Sequence, residues 1–260
     1  VSSGKGRTTC GYYDYPEQDR VVFASTEAGA DTCPAPPDMS QGYVWAIYDT
    51  YDLWEAKPDG TDRRRIMESP GYDAEAVVSP KGDRIVFTSA RDGDLELYTM
   101  ALDGSDVRRV TNSPGYDGGA FFSPDGQRLC FRSAGRADLD VAAEHELLKQ
   151  ELVRPSRLEI CVCDVDGGNR VQLTSNGAAN FGPYFHPDGK RIIFSSNMHD
   201  PKGGNFELYL VDVATKALER VTWFERRREG AHRSDDFDGF PMFSRDGRRL
   251  LFCSNRFNGK

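Results

Sequence analysis

The sequence predicts an all-β protein, a β-propeller of four-stranded antiparallel blades with one short helical insertion. Three observations support this prediction: a hairpin motif that occurs five times, a second hairpin of constant length, and insertions confined to two of the four connections of each repeat. Four-stranded repeats of about 40–45 residues are typical of propeller blades. A parallel arrangement of strands and helices is excluded, because no helical pattern lies between successive strands.

The first hairpin joins two strands, named A and B here, through a short turn such as SPDG at 123–126. Pro, Asp and Gly favour a tight turn at this place. Strand B contains Arg, two mostly apolar residues, Phe, one variable residue and Ser, so its Phe is predicted to be buried in every blade. The five motifs are DRVVFAS (19–25), DRIVFTS (83–89), QRLCFRS (127–133), KRIIFSS (190–196) and RRLLFCS (248–254).

The second hairpin, between strands C and D, follows four of these motifs and is 16 residues long each time. Its centre is Asp-Gly or Thr-Lys, which favours a turn. An all-β sandwich is the alternative fold, but it does not predict five near-identical hairpins. The four segments are DLWEAKPDGTDRRRIM (52–67), ELYTMALDGSDVRRVT (96–111), EICVCDVDGGNRVQLT (159–174) and ELYLVDVATKALERVT (207–222).

All insertions lie on one face of the propeller, which we name the elaborated face. The turns on the opposite face are short. Segments 26–51, 134–157 and 223–236 all fall in B–C or D–A loops, which emerge on the same face of an up-and-down blade. Such asymmetry is typical of a binding face. We expect a single propeller domain, or part of a larger one, with blades at about 8–67, 72–111, 116–174 and 179–222 and a partial blade at 237–254.

The motif SPDG-x-R, two apolar residues, F-x-S, then E-[LI]-Y, DG and Thr resembles the WD40-like repeats of the TolB-type propeller family. The resemblance implies part of a six-bladed ring in a periplasmic, secreted or otherwise extracytoplasmic protein. It also implies a protein or peptide partner, within an envelope-associated complex. Propellers of this type also serve as substrate-gating modules of multidomain hydrolases, such as prolyl-oligopeptidase-like peptidases, which is the alternative function. A carbohydrate-active propeller is a third possible function.

Composition and motifs argue against three classes of function. The net charge of −8 argues against nucleic-acid binding, which needs a basic surface. No apolar run approaches the ~18 residues of a membrane span. No G-x-S-x-G, H-E-x-x-H or P-loop motif occurs, so the chain is predicted to be non-catalytic.

A polar residue opens each strand A, and strand A lines the central channel of a propeller. We therefore expect these residues to form a ring at the channel mouth, which is the candidate site for a ligand or an ion. Converging carboxylates repel each other and Ca²⁺ would relieve this, so calcium is the candidate cofactor. Alternatively, each Asp bonds the backbone of its own D–A turn. The ring is Thr9, Asp73, Asp117, Asn180 and Asp238, and Tyr72 and Tyr116 stand one residue before two of its members.

Secondary candidates lie on the same elaborated face. The acids that open strand C are expected to bond loop amides or a nearby Arg, with a ligand as the alternative. Aromatic residues of the first insertion either stack on a sugar or peptide or pack on their own blade. A basic run in the last D–A loop either binds an anion or is solvated. These candidates are Asp52, Glu96, Glu159 and Glu207, then Tyr43 and Trp45, then Arg226, Arg227 and Arg228.

The six cysteines predict one disulfide at most. Cys10 and Cys33 belong to the same blade and the same face, so they are a candidate pair that suits an oxidising compartment. Cys130, Cys161 and Cys163 lie in strands without zinc-site spacing and are expected to be buried thiols. The insertion 134–157 has apolar residues near helical spacing, which predicts a helix.

Overall fold

The structure is a computed structural model and describes residues 2–40, 42–135, 137–201, 204–223 and 237–255. The first two blades are antiparallel four-stranded sheets whose strands follow chain order. Blade 1 contains β1 (Thr8–Tyr13), β2 (Val21–Ser25), then, after the short strand β3 (Trp45–Ala46), β4 (Asp52–Ala56) and β5 (Arg64–Arg65). Blade 2 contains β6 (Asp73–Val78), β7 (Ile85–Ser89), β8 (Glu96–Met100) and β9 (Arg108–Arg109).

The next two blades repeat this order, and a fifth sheet has two described strands. Blade 3 contains β10 (Asp117–Phe122) and β11 (Arg128–Ser133), then α1 (Val141–Leu148) and β12 (Leu152–Val153) in its insertion, then β13 (Glu159–Asp164) and β14 (Val171–Gln172). Blade 4 contains β15 (Asn180–Phe185), β16 (Arg191–Ser196), β17 (Glu207–Asp212) and β18 (Leu218–Arg220). Blade 5 contains β19 (Asp238–Phe243) and β20 (Leu250–Ser254).

Strand A is the inner strand of every blade, because the first strands of successive blades contact one another, from β1–β6 to β15–β19. The strand B phenylalanines form the core between blades, as predicted. Phe23, Phe87, Phe131 and Phe194 are 0% exposed. Phe252 is partly exposed, since its sheet has only two described strands to cover it. The predicted propeller blades are thus confirmed.

The two long insertions pair with each other, which the sequence did not indicate. Strand β3 is antiparallel to β12, with Trp45 opposite Val153, and the Ile47 N–H donates to the Glu151 carbonyl at 2.8 Å. The predicted helix is α1, which begins after Asp140, whose carboxylate accepts from the Ala143 N–H at 3.1 Å. The ribbon formed by β3 and β12 holds the first insertion against blades 3 and 4.

Each strand A has a β-bulge at the same place, and the bulged residue has a positive φ. That left-handed geometry favours glycine and strains other residues. Two blades have glycine there, whereas three place a side chain at the channel wall. The bulged residues are Cys10 (54°), Glu75 (58°), Gly119 (61°), Gly182 (55°) and Phe240 (53°).

Candidate functional site

The predicted ring at the channel mouth is made of equivalent but buried residues. Asp73, Asp117, Asn180 and Asp238 each pair with the last Ser of strand B and are at most 1% exposed. The register corrects the first member of the ring, because Thr8 and not Thr9 pairs with Ser25. Tyr72 and Tyr116 are buried as well. These side chains therefore do not present an open ring to a ligand.

Local partners satisfy the ring residues. Asp117 accepts hydrogen bonds from Ser113 Oγ at 2.7 Å and from Arg170 Nη1 at 2.8 Å. Burial disfavours the charge on Arg170, but Asp117 outweighs this and raises the pKa of the guanidinium. Asp73 accepts from the Ser69 hydroxyl and from Arg91 Nη2 at 3.0 Å. A serine of the D–A loop and an arginine thus hold each of these two acids.

The geometry does not support the expected calcium site. Among the described residues, no group of three or more His, Cys, Asp and Glu side chains lies close enough to hold a metal ion. Asn180 occupies one ring position, and its amide donates to the Leu158 carbonyl at 2.6 Å and to Asn176 Oδ1 at 3.0 Å. The guanidinium groups of Arg91 and Arg170 neutralise Asp73 and Asp117.

The acids that open strand C are also buried and locally bonded. Arg109 Nη2 donates to Glu96 Oε1 at 3.0 Å, and burial raises the pKa of Glu96. Glu159 accepts from Thr174 Oγ1 at 2.6 Å, and Glu207 lies 3.3 Å from Arg220 Nη2. Asp52 has a more distant partner, Arg65 Nη1 at 3.5 Å. All four acids thus contact side chains of strand D or of the residues directly after it.

The fold should be more stable at pH 5 than at pH 7, in part because of Asp52. Burial raises the pKa of Asp52 from 3.8 to about 6, with Arg65 opposing the shift. The folded state therefore binds a proton that the unfolded state releases, and stability falls as pH rises between about 4 and 6. We expect a loss of about 1 kcal/mol, which is less than the full shift implies, because nearby Arg65 and the solvent at the edge of the blade reduce the effect. Urea denaturation across this range should show a flatter profile for Asp52→Asn, and identical profiles would contradict the assignment.

A second cluster, which the sequence did not reveal, lies at the bulge of blade 2. Glu75 Oε2 accepts hydrogen bonds from Thr88 Oγ1 at 2.8 Å, Tyr116 Oη at 2.8 Å and the Gly119 N–H at 2.9 Å. Glu75 Oε1 forms an ion pair with Arg132. The cluster joins blade 2 to blade 3. Its only sequence signal is an acid at a bulge position that is glycine in two other blades.

Arg132 is the charged centre of this cluster and is 7% exposed. Its Nε donates to Tyr116 Oη at 2.9 Å, and its guanidinium carbon lies 5.0 Å from the centre of the Trp45 ring. Burial opposes the charge, but Tyr116 and Glu75 raise the pKa of Arg132. Burial and Glu75 raise the pKa of Tyr116 well above its usual range, so the phenol stays neutral. The cluster is a satisfied link between blades.

Trp45 belongs to a continuous line of six rings, which we name the aromatic row. It begins in the first insertion, crosses blade 4 and ends in blade 5. Its two ends are exposed, Tyr43 by 65% and Phe240 by 59%. Successive ring centres are 6.4, 5.6, 5.5, 5.7 and 6.0 Å apart along Tyr43, Trp45, Phe181, Phe206, Phe237 and Phe240.

The sequence predicted two members of the aromatic row, Tyr43 and Trp45. The four phenylalanines were not predicted as site residues, although Phe237 stands one residue before strand A, as Tyr72 and Tyr116 do. Phe206 precedes strand C of blade 4, and its parallel bridge to Phe237 brings blades 4 and 5 together. Only the folded arrangement shows that these residues meet Trp45.

Comparison with known proteins agrees with this architecture. Residues 51–142 match the family model described as the TolB beta propeller domain. The repeats within this range are of the TolB type. TolB from Acinetobacter baumannii is 20% identical with a TM-score of 0.58, covering 79% of this chain and 43% of its own. A putative TolB from Agrobacterium tumefaciens is 18% identical with a TM-score of 0.53, covering 82% and 80%. At these identities, the likeness concerns the fold.

A curated relative, an uncharacterized protein of Agrobacterium fabrum, is 29% identical over 102 residues. That alignment covers 39% of this chain and 30% of the relative. The chain therefore spans less than half the length of this relative and of the Acinetobacter TolB. In the described part of the chain, no helix combines the length and hydropathy required to cross a bilayer.

The remaining predicted residues of the TolB-type repeats fall into two groups. Cys10 and Cys33 are free thiols, so the structure lacks the predicted disulfide. Cys10 is the bulged residue of β1, and its Sγ lies 3.4 Å from Thr9 Oγ1. Arg226, Arg227 and Arg228 lie outside the described residues.

Proposed function

We propose that this chain is a non-catalytic TolB-type propeller that binds a protein or peptide partner on the face of the B–C and D–A loops. The observation that supports this function is the aromatic row, which crosses that face and is exposed at both ends. Aromatic side chains dominate the binding energy of many protein interfaces. Because Tyr43 and Phe240 come from different blades, a partner would contact several blades at once.

The charges of this face favour an apolar or aromatic partner segment over an ion. Asp73 and Asp117 are buried and paired with arginines, and Glu75 is paired with Arg132. Among the described residues of this face, the aromatic row is therefore the candidate contact surface. A nucleic acid is disfavoured by the net charge of −8. An extracytoplasmic location and an envelope-associated complex are part of this proposal, and both rest on the TolB-type repeats.

Replacing Phe240 with glycine should weaken partner binding without harming the fold. Phe240 has a φ of 53°, and the equivalent residues of blades 3 and 4 are glycines with the same geometry. Glycine should therefore keep or improve stability, by up to about 1 kcal/mol. Peptides selected from a displayed random library on the wild-type protein should bind Phe240→Gly at least about tenfold more weakly, as measured by calorimetry.

Leu218→Ser is the matched control, because Leu218 is 47% exposed on β18, the outermost strand of its blade. This variant should bind the selected peptides with the affinity of the wild type, whereas Tyr43→Ser should bind them more weakly. Equal affinity for wild type and Phe240→Gly, or equal weakening by Leu218→Ser, would contradict the proposed face.

A further inference from the structure

We propose that the aromatic row binds a proline-rich segment of the partner in the extended polyproline II conformation. This inference rests on the proposed function and names the kind of segment that the row would bind. Prolines would pack against the rings, and a backbone carbonyl would accept a hydrogen bond from Arg132. Three features support the inference: the spacing of the rings, the hydrogen-bond donors beside them, and the use of the neighbouring carboxylate by other partners.

The rings of the aromatic row are spaced for an extended segment. Successive ring centres lie between 5.5 and 6.4 Å apart, and every ring is at least partly exposed. A polyproline II helix rises about 3.1 Å per residue, so it passes one ring about every two residues. Grooves lined by aromatic rings suit such segments, because the helix is formed before binding and loses little entropy.

A hydrogen-bond donor of Arg132 lies beside the row. The guanidinium carbon is 5.0 Å from the centre of the Trp45 ring and 6.0 Å from that of Phe181. Nε and Nη2 donate to Tyr116 Oη and to Glu75, but no described residue accepts a hydrogen bond from Nη1. A side chain that is 7% exposed thus has a donor without an acceptor, which is costly unless a ligand or solvent supplies one.

A second donor stands at the exposed end of the row, at Tyr43. Trp45 Nε1 donates to Tyr43 Oη at 3.0 Å, which leaves the hydroxyl hydrogen of Tyr43 to donate. The carboxylate of Glu75, in contrast, is fully used, because it accepts from Thr88, Tyr116, Gly119 and Arg132. A ligand at this place is therefore offered donors, whereas Glu75 has no capacity left to accept.

This balance of donors and acceptors favours a proline-rich segment over an ordinary peptide. The backbone N–H groups of an ordinary peptide would lack acceptors against the rings, which is costly. Proline has no N–H, and its carbonyl remains free to accept. A carboxylate is disfavoured as the acceptor, since Glu75 already neutralises Arg132 and would repel a second acid. A neutral backbone carbonyl therefore fits the Nη1 donor.

Two capped synthetic peptides test the inference on the wild-type protein. The first is decaproline, which extends over about 31 Å in the polyproline II conformation. The second has the same length, with alanine in place of every second proline, so that it regains backbone N–H groups. Calorimetry should show that decaproline binds at least about tenfold more tightly than the alanine-containing peptide. Equal affinities, or no detectable binding of decaproline, would overturn the inference.

Arg132→Lys tests the donor. Lysine keeps the charge that pairs with Glu75, but its single ammonium group replaces a planar fork, so it cannot also reach the segment. The affinity for decaproline should fall about tenfold, as expected for the loss of a hydrogen bond from a charged group.

Arg84→Lys is the matched control. Arg84 directly precedes β7, at the start of strand B, whereas Arg132 lies near the end of strand B in its own blade. Arg84 pairs with Asp106 at 2.9 Å, and its replacement should leave the affinity for decaproline unchanged. An equal loss in both variants, or no loss in Arg132→Lys, would contradict the role of Nη1.

Library selection separates this inference from the proposed function. Peptides selected on the wild-type protein should be rich in proline and should bind Phe240→Gly more weakly. Selected peptides that need Phe240 but have no excess of proline would overturn the inference and leave the proposed function standing. Selected peptides that bind Phe240→Gly as tightly as the wild type would contradict both.

Discussion

Replacing Glu75 with alanine is expected to lower the free energy of unfolding by about 4 kcal/mol, because it leaves the Arg132 guanidinium buried without a counter-charge. The change also removes the acceptor of Thr88 Oγ1, Tyr116 Oη and the Gly119 N–H. Alanine keeps the positive φ of the bulge, so it brings no relief of strain. Urea denaturation followed by tryptophan fluorescence measures the loss.

The double variant Glu75→Ala, Arg132→Met separates the charge effect from lost packing. Methionine removes the buried charge and keeps an apolar side chain beneath Trp45, so the double variant should be more stable than Glu75→Ala alone. A double variant that loses the sum of both single losses would contradict the ion pair as the cause. A loss below about 1 kcal/mol for Glu75→Ala would contradict it as well.

The repeated part of the fold could be predicted because each complete blade has the same strand order and the same buried residues. The Phe of strand B, the turn before it and the constant C–D length recur, and the four complete sheets have this order. The pairing of β3 with β12 could not be predicted, because it joins two insertions that occur once each and are distant in sequence. The position of Trp45 over Arg132 depends on that pairing.

The candidate site was less predictable for a related reason. The repeats showed that Asp73 and Asp117 occupy equivalent positions. The arginines that pair with these two acids, however, come from different elements of their blades. Arg91 comes from the B–C loop of blade 2, whereas Arg170 directly precedes β14 of blade 3. No repeated motif therefore marked these arginines, and the sequence left open whether the acids bind a ligand or hold their own turns.

The bulge explains why Glu75 and Phe240 were missed. In an unbulged strand, side chains alternate between the two faces, but the extra residue at this place turns toward the channel axis. The sequence pattern does not show that this position has a positive φ. It therefore does not show that glycine relieves strain there, or that Glu75 and Phe240 are strained. In the structure, φ values of 58° and 53° show that Glu75 and Phe240 occupy the equivalent bulge position of their strands.

Asp117→Ala is expected to lower the free energy of unfolding by about 3–5 kcal/mol, since it breaks a buried ion pair. Asp117 is 0% exposed and accepts from Arg170 and from Ser113 Oγ, so alanine would leave both without this acceptor. Asp106→Ala is the matched control. Asp106 forms an ion pair of 2.9 Å with Arg84 but is exposed, and its loss should cost less than about 1 kcal/mol.

Binding measurements on the same variants distinguish an anchoring role of Asp117 from a ligand-binding role. If Asp117 only anchors its blade, peptides selected on the wild-type protein should bind folded Asp117→Ala with unchanged affinity below its unfolding temperature. Phe240→Gly should show the reverse, with weaker binding and unchanged stability. An Asp117→Ala variant as stable as the wild type, with weaker binding, would return the acid ring to the binding site. This pair of variants therefore separates the residues that hold the blades together from those that present the binding face.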